Sequence, residues 1–265
     1  MRRWLVRLAL TLILGWSVAV AALLLFRHQL IYPFRDWPVA TQVAGVSGAR
    51  VAEVQAPDGI PVYTWVVDPA PGRPTILYFM GNAGSLPAAA PRLQELALAG
   101  FGVVALNYRG AGGAPGAPSQ AALIADALAV YDALLNGPPV IYGTSLGAAL
   151  ATQVAAQRPV QALVLETPFA RLCQTARHHY PWVPACVLLW DEHWGSVEVI
   201  DQINAPLLVL HGDADRIIPI AHGRALFDAA RQPKEFVTYP GGRHNDLRLY
   251  GAGRDVIAFI EGLAP

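Results

Sequence analysis

Lysine is almost missing from this chain of 265 residues; Lys234 is the single example. A phosphate-cradling loop needs its lysine straight after a run of glycines, and Lys234 follows Pro233. That setting excludes the P-loop class of α/β protein. Cysteine is scarce as well, with only Cys173 and Cys186. They form no C-x-x-C pair, which speaks against dithiol redox chemistry. An oxidising compartment would join them across a short loop; otherwise they are two small buried hydrophobes, and their spacing leaves both readings open. Charge is sparse at 14% and balanced, with 19 basic and 19 acidic residues. No basic excess is available to neutralise a phosphate backbone, so nucleic acid is not an expected partner. Internal repeats, low-complexity tracts and signs of a second globular domain are also lacking. The length suits one α/β domain with a single large core.

What the chain does have is apolar residues, 54% of the total, and they begin at once. Residues 8–26 carry no charge. As a helix they would span about 28 Å, close to the roughly 30 Å hydrocarbon core of a bilayer. Arg2, Arg3 and Arg7 precede the run; Arg27 and His28 follow it. This bias orients the N-terminus toward the cytoplasm and the rest of the chain outside it. Trp4 on one side, with Tyr32, Phe34 and Trp37 on the other, would suit the two interfaces. A cleaved signal peptide is the rival, because Ala19-Val20-Ala21 resembles a cleavage site. The apolar run continues beyond it, which favours a retained anchor. The expected organisation is an anchor over 1–28, an extended linker over 29–45 and a globular domain over 46–265.

Past the linker, two β-like runs flank Pro57-Asp58-Gly59 and predict an antiparallel hairpin at a sheet edge. Continuous apolar runs then predict buried strands at 75–80, 103–108, 139–142, 162–166 and 207–211, with a last strand at 235–239. Helical stretches fall between them, at 87–99, up to 135, at 148–158, 221–230 and 246–262. Strand–helix alternation of this kind gives a mostly parallel sheet covered by helices on both faces. Residues 167–205 break the rhythm and carry several prolines and tryptophans, as a small cap over the C-terminal edge of the sheet would.

The focal stretch is Gly143-Thr144-Ser145-Leu146-Gly147, between a predicted strand and a predicted helix. With 24 glycines and six serines in the chain, G-x-S-x-G arises by chance about once in twenty such sequences, so the context carries the weight. Strand, G-x-S-x-G and helix make a nucleophile elbow. So sharp a turn needs small residues on either side of the serine. It lifts the hydroxyl above the sheet and presents the Leu146 N–H, at a helix N-terminus, to developing negative charge.

A serine hydroxyl needs a base, and the base needs a partner to orient it. In this arrangement the acid and then the histidine follow the serine along the chain, each beyond its own strand. Asp215, after 207–211, and His244, after 235–239, fall where that order demands. Asp213 and Glu166 are alternative acids, each with a bland role as loop hydrogen bond or turn cap. His222 falls on a predicted helix, and His178 and His179 lack ligand spacing. A zinc site of His211, Asp213, Asp215 and His222 competes poorly with the serine reading. The loop after 75–80, Gly81-Asn82-Ala83-Gly84, is small enough for a second N–H to approach substrate, and Asn82 is the candidate.

Met80-Gly-Asn-Ala-Gly84, Asn107-Tyr-Arg-Gly110, the elbow, Glu166-Thr-Pro-Phe169, His211-Gly-Asp-Ala-Asp215-Arg-Ile-Ile-Pro219 and Gly242-Arg-His244-Asn245 occur in one order. Together they resemble the α/β-hydrolase superfamily over about residues 45–262. More narrowly they resemble its membrane-anchored abhydrolase-domain serine hydrolases, whose oxyanion loop reads HGNAGN, and its serine aminopeptidase-like members. The resemblance implies the catalytic set Ser145, Asp215 and His244, an oxyanion hole of Leu146 and Asn82, and neither cofactor nor metal. Met80 stands where that family has His, and Ser85 where it has Asn, which bears on the loop. The expected activity is hydrolysis of carboxylic esters or thioesters, lipid-derived acyl esters among them, through an acyl-enzyme. Trp182, Trp190, Trp194, Phe169 and Tyr180 are candidates for an acyl pocket. A peptidase, with Asp191 and Glu192 holding a free amine, and an inactive membrane-tethered binding protein are the other readings.

Overall fold

The computed structural model describes residues 2–34, 43–82 and 84–263. Trp37, residues 35–42 of the expected linker and Ala83 therefore lie outside the described residues.

Two antiparallel strands open the globular part, β1 (Arg50–Gln55) and β2 (Pro61–Val67), joined through Asp58-Gly59 as expected. Six further strands follow: β3 (Thr75–Phe79), β4 (Gly102–Leu106), β5 (Val140–Thr144), β6 (Ala162–Glu166), β7 (Leu207–Gly212) and β8 (Lys234–Tyr239). All eight form one sheet in the order β1-β2-β4-β3-β5-β6-β7-β8. β2 meets β4 antiparallel, and every pairing from β4 through β8 is parallel. The central strands β4 and β6 are buried along their whole length, because helices cover both faces.

The helices are α1 (Arg2–Leu25), α2 (Arg27–Ile31), α3 (Leu86–Leu98), α4 (Gln120–Leu134), α5 (Leu146–Ala155), α6 (Leu172–His179), α7 (Ala185–Leu188), α8 (Ile220–Ala229) and α9 (Ala252–Glu261). At 24 residues α1 is roughly 36 Å long. Its most apolar 18 residues have a mean hydropathy of 2.4, and it is long and apolar enough to cross a membrane. Residues 167–206, between β6 and β7, hold α6, α7 and two short 3-10 turns, and are called the cap segment below. A disulfide joins Cys173 in α6 to Cys186 in α7, which resolves the two readings of the cysteine pair.

Three sequence expectations need correction. Residues 29–31 are not extended: they belong to α2, and Ile31 is buried. Tyr32 is no interfacial aromatic; it is 5% exposed and donates its hydroxyl to the buried carboxylate of Glu192. Phe34 packs against the core rather than marking an interface. The helix expected over 246–262 is broken, because Gly251 adopts φ +99°, which no helix interior tolerates. A 3-10 turn precedes that glycine, and α9 follows it.

The topology brings the loops after β3 and β5 to one edge. β3 lies between β4 and β5, so the chain leaves it to one side and returns on the other. Phe79 faces Gly143 across the ladder. A Cβ on Gly147 would lie 2.2 Å from the Phe79 carbonyl oxygen, and one on Gly143 would lie 2.1 Å from that of Gly147. Helix α5 thus rests on backbone, with no space for a side chain. Gly147→Ala is expected to cost about 3 kcal/mol or more of stability through overpacking. Chemical denaturation followed by circular dichroism would measure it, and a midpoint equal to wild type would contradict this account of the turn.

Candidate active site

Ser145 sits at the tip between β5 and α5 with φ +54° and ψ −116°, a strained backbone for a residue bearing a Cβ. Its N–H is held by the Glu166 carbonyl at 2.9 Å, and its own carbonyl accepts from Ala148 at 2.9 Å. Leu146 follows in the first turn of α5, where amides have no partner inside the helix.

Three loops converge on the serine hydroxyl. The Ser145 hydroxyl donates to His244 Nε2 at 3.0 Å, and His244 Nδ1 donates to Asp215 Oδ2 at 2.8 Å. A carboxylate only accepts, so this contact fixes the proton on Nδ1 and leaves Nε2 to take the serine proton. Asp215 Oδ1 accepts from the N–H groups of Ile217 and Ile218 at 2.8 and 2.9 Å. His211 Nε2 lies 3.4 Å from Oδ2 and donates to the Ile218 carbonyl at 2.8 Å. Burial alone would raise the Asp215 pKa. Hydrogen bonds from His211, His244 and the backbone outweigh it and hold the carboxyl well below the usual range.

The alternatives weighed on sequence go elsewhere. Asp213 accepts from the Gly241 N–H at 2.7 Å, so it ties the acid loop to the histidine loop. Glu166 pairs with Arg92 and accepts the Tyr142 hydroxyl. Burial would raise its pKa, and Arg92 turns the shift downward. His179 donates to the Ile217 carbonyl at 2.9 Å, and His222 sits on α8. Among the described residues, no three His, Cys, Asp or Glu side chains converge into a group able to hold a metal. Asp191 pairs with Arg27, and Glu192 is buried against Tyr32 and Trp194, so neither presents a carboxylate to a substrate amine.

The loop after β3 lies beside the serine: a Cβ on Gly81 would be 3.5 Å from that of Ser145. Asn82 and Leu146 line one cavity of about 930 Å³ together with Ser145 and His244. Of the five aromatic candidates for an acyl pocket, Phe169 and Tyr180 line this cavity. Trp194 is buried elsewhere, while Trp182 and Trp190 are largely exposed. Ser85 has a structural reason: it caps α3, its hydroxyl accepting from Ala88 N at 3.3 Å.

Sequence reasoning assigned no role to several residues that hold these loops. The Tyr108 hydroxyl donates to the Met80 carbonyl at 2.6 Å and pins the end of β3. Asn107 donates to the Ala111 carbonyl at 2.9 Å, and Arg109 binds Asp126 and Asp58. Within Asn107-Tyr-Arg-Gly110 it is thus Tyr108 that braces the end of β3, while Asn107 and Arg109 hold the loop after β4. Arg92 of α3 reaches Glu166 at the end of β6 and ties the helix behind the loop to the strand next to the serine.

The chain belongs to the α/β-hydrolase superfamily. A family profile described as alpha/beta hydrolase fold matches residues 74–194, and one described as serine aminopeptidase, S33, matches 195–248. Esterases and lipases are among the proteins it is similar to. It is 38% identical over 231 residues to the uncharacterized Mycobacterium tuberculosis protein Rv2307c, covering 84% of this chain and 82% of that one. It is 28% identical over 270 residues to the zebrafish (Danio rerio) lysophosphatidylserine lipase ABHD12, covering 86% and 70%. A bacterial membrane phospholipase A shares the fold, with a TM-score of 0.67 at 18% identity over 99% of each chain.

The depressed pKa of Asp215 has a consequence for stability. A carboxyl whose pKa falls on folding stabilises the fold above its ordinary value of 3.8, and that contribution is lost as pH drops toward the folded value. Wild type should therefore exceed Asp215→Asn in denaturation midpoint at neutral pH, and the gap should shrink below about pH 4. A gap that widens in acid would contradict the assignment of the charge.

Proposed function

We propose that this protein is a serine hydrolase of carboxylic esters or thioesters, acting through an acyl-enzyme. The observation that carries the reading is the unbroken hydrogen-bond chain from the Ser145 hydroxyl through His244 to Asp215. Ser145 Oγ attacks the substrate carbonyl carbon while His244 Nε2 takes its proton. The carbonyl oxygen, now an anion, is met by the N–H groups of Leu146 and Asn82. His244 then gives its proton to the departing alcohol or thiol, and the acyl group stays on Ser145. Water, deprotonated by His244, then attacks the acyl carbon; Ser145 Oγ leaves, takes the proton back from His244, and the acid is released. Asp215 keeps the imidazole in the tautomer this cycle needs and stabilises its cationic form. No cofactor enters these steps.

The substrate class we favour is a lipid-derived acyl ester. Leucine, isoleucine and valine side chains contribute much of the cavity wall, and one relative is a lipase of a lysophospholipid. We further propose that α1 is a retained single-pass anchor with its N-terminus in the cytoplasm. The hydrolase domain, with 167–205 as its cap, would lie outside. Arg2, Arg3 and Arg7 set that orientation. The disulfide between Cys173 and Cys186 suits an oxidising compartment.

The serine aminopeptidase match over 195–248 keeps a peptidase as the second reading. The engagement of Asp191 and Glu192 weighs against it, since a peptide amine then lacks its expected holders. A retired, binding-only fold has no need of an intact hydroxyl–imidazole–carboxylate chain. In an assay with acyl esters and aminoacyl amides, esters are the expected substrates. Ser145→Ala should lower ester kcat/KM by about 10⁴-fold or more, and Asp215→Asn by about 10³- to 10⁴-fold. Turnover by Ser145→Ala at the wild-type rate would remove the serine mechanism.

A further inference from the structure

The cavity that holds Ser145 and His244 is not walled by the hydrolase domain alone. Leu23 and Leu24 of α1, and Leu30 and Ile31 of α2, line it as well. The half-buried residues of the N-terminal helices, 19, 20, 23, 24, 27 and 28, repeat at helical spacing and form one stripe. Residues 2–18 of α1, by contrast, are exposed all round. The second half of the helix therefore lies with one face against the folded body, while the first half projects free.

This placement is fastened by side chains the hydrolytic cycle does not use. Trp16 Nε1 donates to the Trp182 carbonyl at 3.1 Å, and Arg27 pairs with Asp191. One turn further on, Tyr32 donates to Glu192, which is 1% exposed. Glu192 also accepts from Trp194 Nε1 and from the Gln120 N–H, each at 3.1 Å. The cap segment thus grips the chain at residues 16, 27 and 32, on both sides of the leucines that face the cavity. Leu30, 52% exposed, lines the cavity too, so the opening reaches the surface beside the anchor.

We propose that the end of the anchor is part of the substrate site: Leu23, Leu24 and Leu30 form one wall of the acyl-chain channel and set the length of chain accepted. This rests on the serine hydrolase reading and deepens it. A purely mechanical tether would need no leucine turned toward the nucleophile's cavity and no buried carboxylate to hold the following residues. The substrate that fits is an ester with a long acyl chain, its tail against α1 and its carbonyl at Ser145. Beside a helix apolar enough to sit in a bilayer, such a chain would pass from the lipid into the cavity without crossing water.

The test uses the full-length protein in detergent micelles and p-nitrophenyl esters from acetate to palmitate. Leu24→Trp and Leu30→Trp should lower the ratio of palmitate to butyrate kcat/KM by about tenfold and move the optimum to shorter chains. Leu12→Trp, on the free half of α1, should leave the ratio at the wild-type value. Ratios equal to wild type in both Leu24→Trp and Leu30→Trp would overturn the proposal. Reaction of wild type with a small fluorophosphonate separates the two readings. If it reacts and the ratios do not move, only the wall is lost. If it does not react, the serine mechanism is lost, and the wall is judged by binding of a fluorescent long-chain fatty acid. Leu24→Trp should then weaken that binding about tenfold; unchanged binding would overturn it.

Discussion

The rest of the molecule depends on one close approach of backbone to backbone. Helix α5 meets the end of β3 at Gly147 and the end of β5 at Gly143, with about 2 Å where a Cβ would stand. This contact fixes Ser145 at φ +54° and lifts its hydroxyl out of the sheet. It also sets the loop after β3 beside that hydroxyl. A hydroxyl so placed gains nothing without a base, and the sheet supplies one. β7 and β8 end at the same edge as β5, so the acid loop and the histidine loop arrive together. Gly212 and Gly242 allow those loops to touch, since a Cβ on Gly212 would be 2.1 Å from the Gly242 carbonyl oxygen.

Around this centre, buried polar groups serve mainly to hold loops. Tyr108 pins β3, Arg92 and Glu166 tie α3 to β6, and Asp213 joins the two loops that carry Asp215 and His244. Asp213 does so from the exposed surface, whereas the Tyr108 hydroxyl and the Glu166 carboxylate are removed from water, and a buried polar group is costly unless paired. Its partner sits in a different segment of chain, so pairing converts that cost into a constraint on loop position. The proposed function needs such constraints more than added stability, because a hydrogen bond from hydroxyl to imidazole tolerates only fractions of an ångström.

The sequence made some of this legible and hid the rest for physical reasons. Strands β3 to β7 were readable because burial on both faces writes continuous apolar runs, and the edge hairpin because Asp58-Gly59 is a turn. The proposed set Ser145, Asp215 and His244 comes from the order the fold dictates, each residue lying beyond the end of its own strand. Glu166 and Asp213 could be separated from Asp215 only by where their partners lie, and partners distant in sequence leave no periodic trace. Residues 29–31 of α2 were misread as linker for the same reason. Five residues are too few to show a period, and what orders them is a pair of carboxylates more than 150 residues away. The break at Gly251 required a backbone conformation that a glycine permits but does not announce. The cap aromatics divided, two toward the cavity and three away from it, because composition marks a cap without saying which way its rings point.

The central claim is that the strained turn makes Ser145 the one hydroxyl activated by an imidazole. The most direct measurement is to react the full-length protein with a fluorophosphonate, digest it and locate the added mass by tandem mass spectrometry. The account predicts a single phosphonylated residue, Ser145, with the modification absent after His244→Gln. Modification at another residue, or at Ser145 with an undiminished rate in His244→Gln, would contradict it.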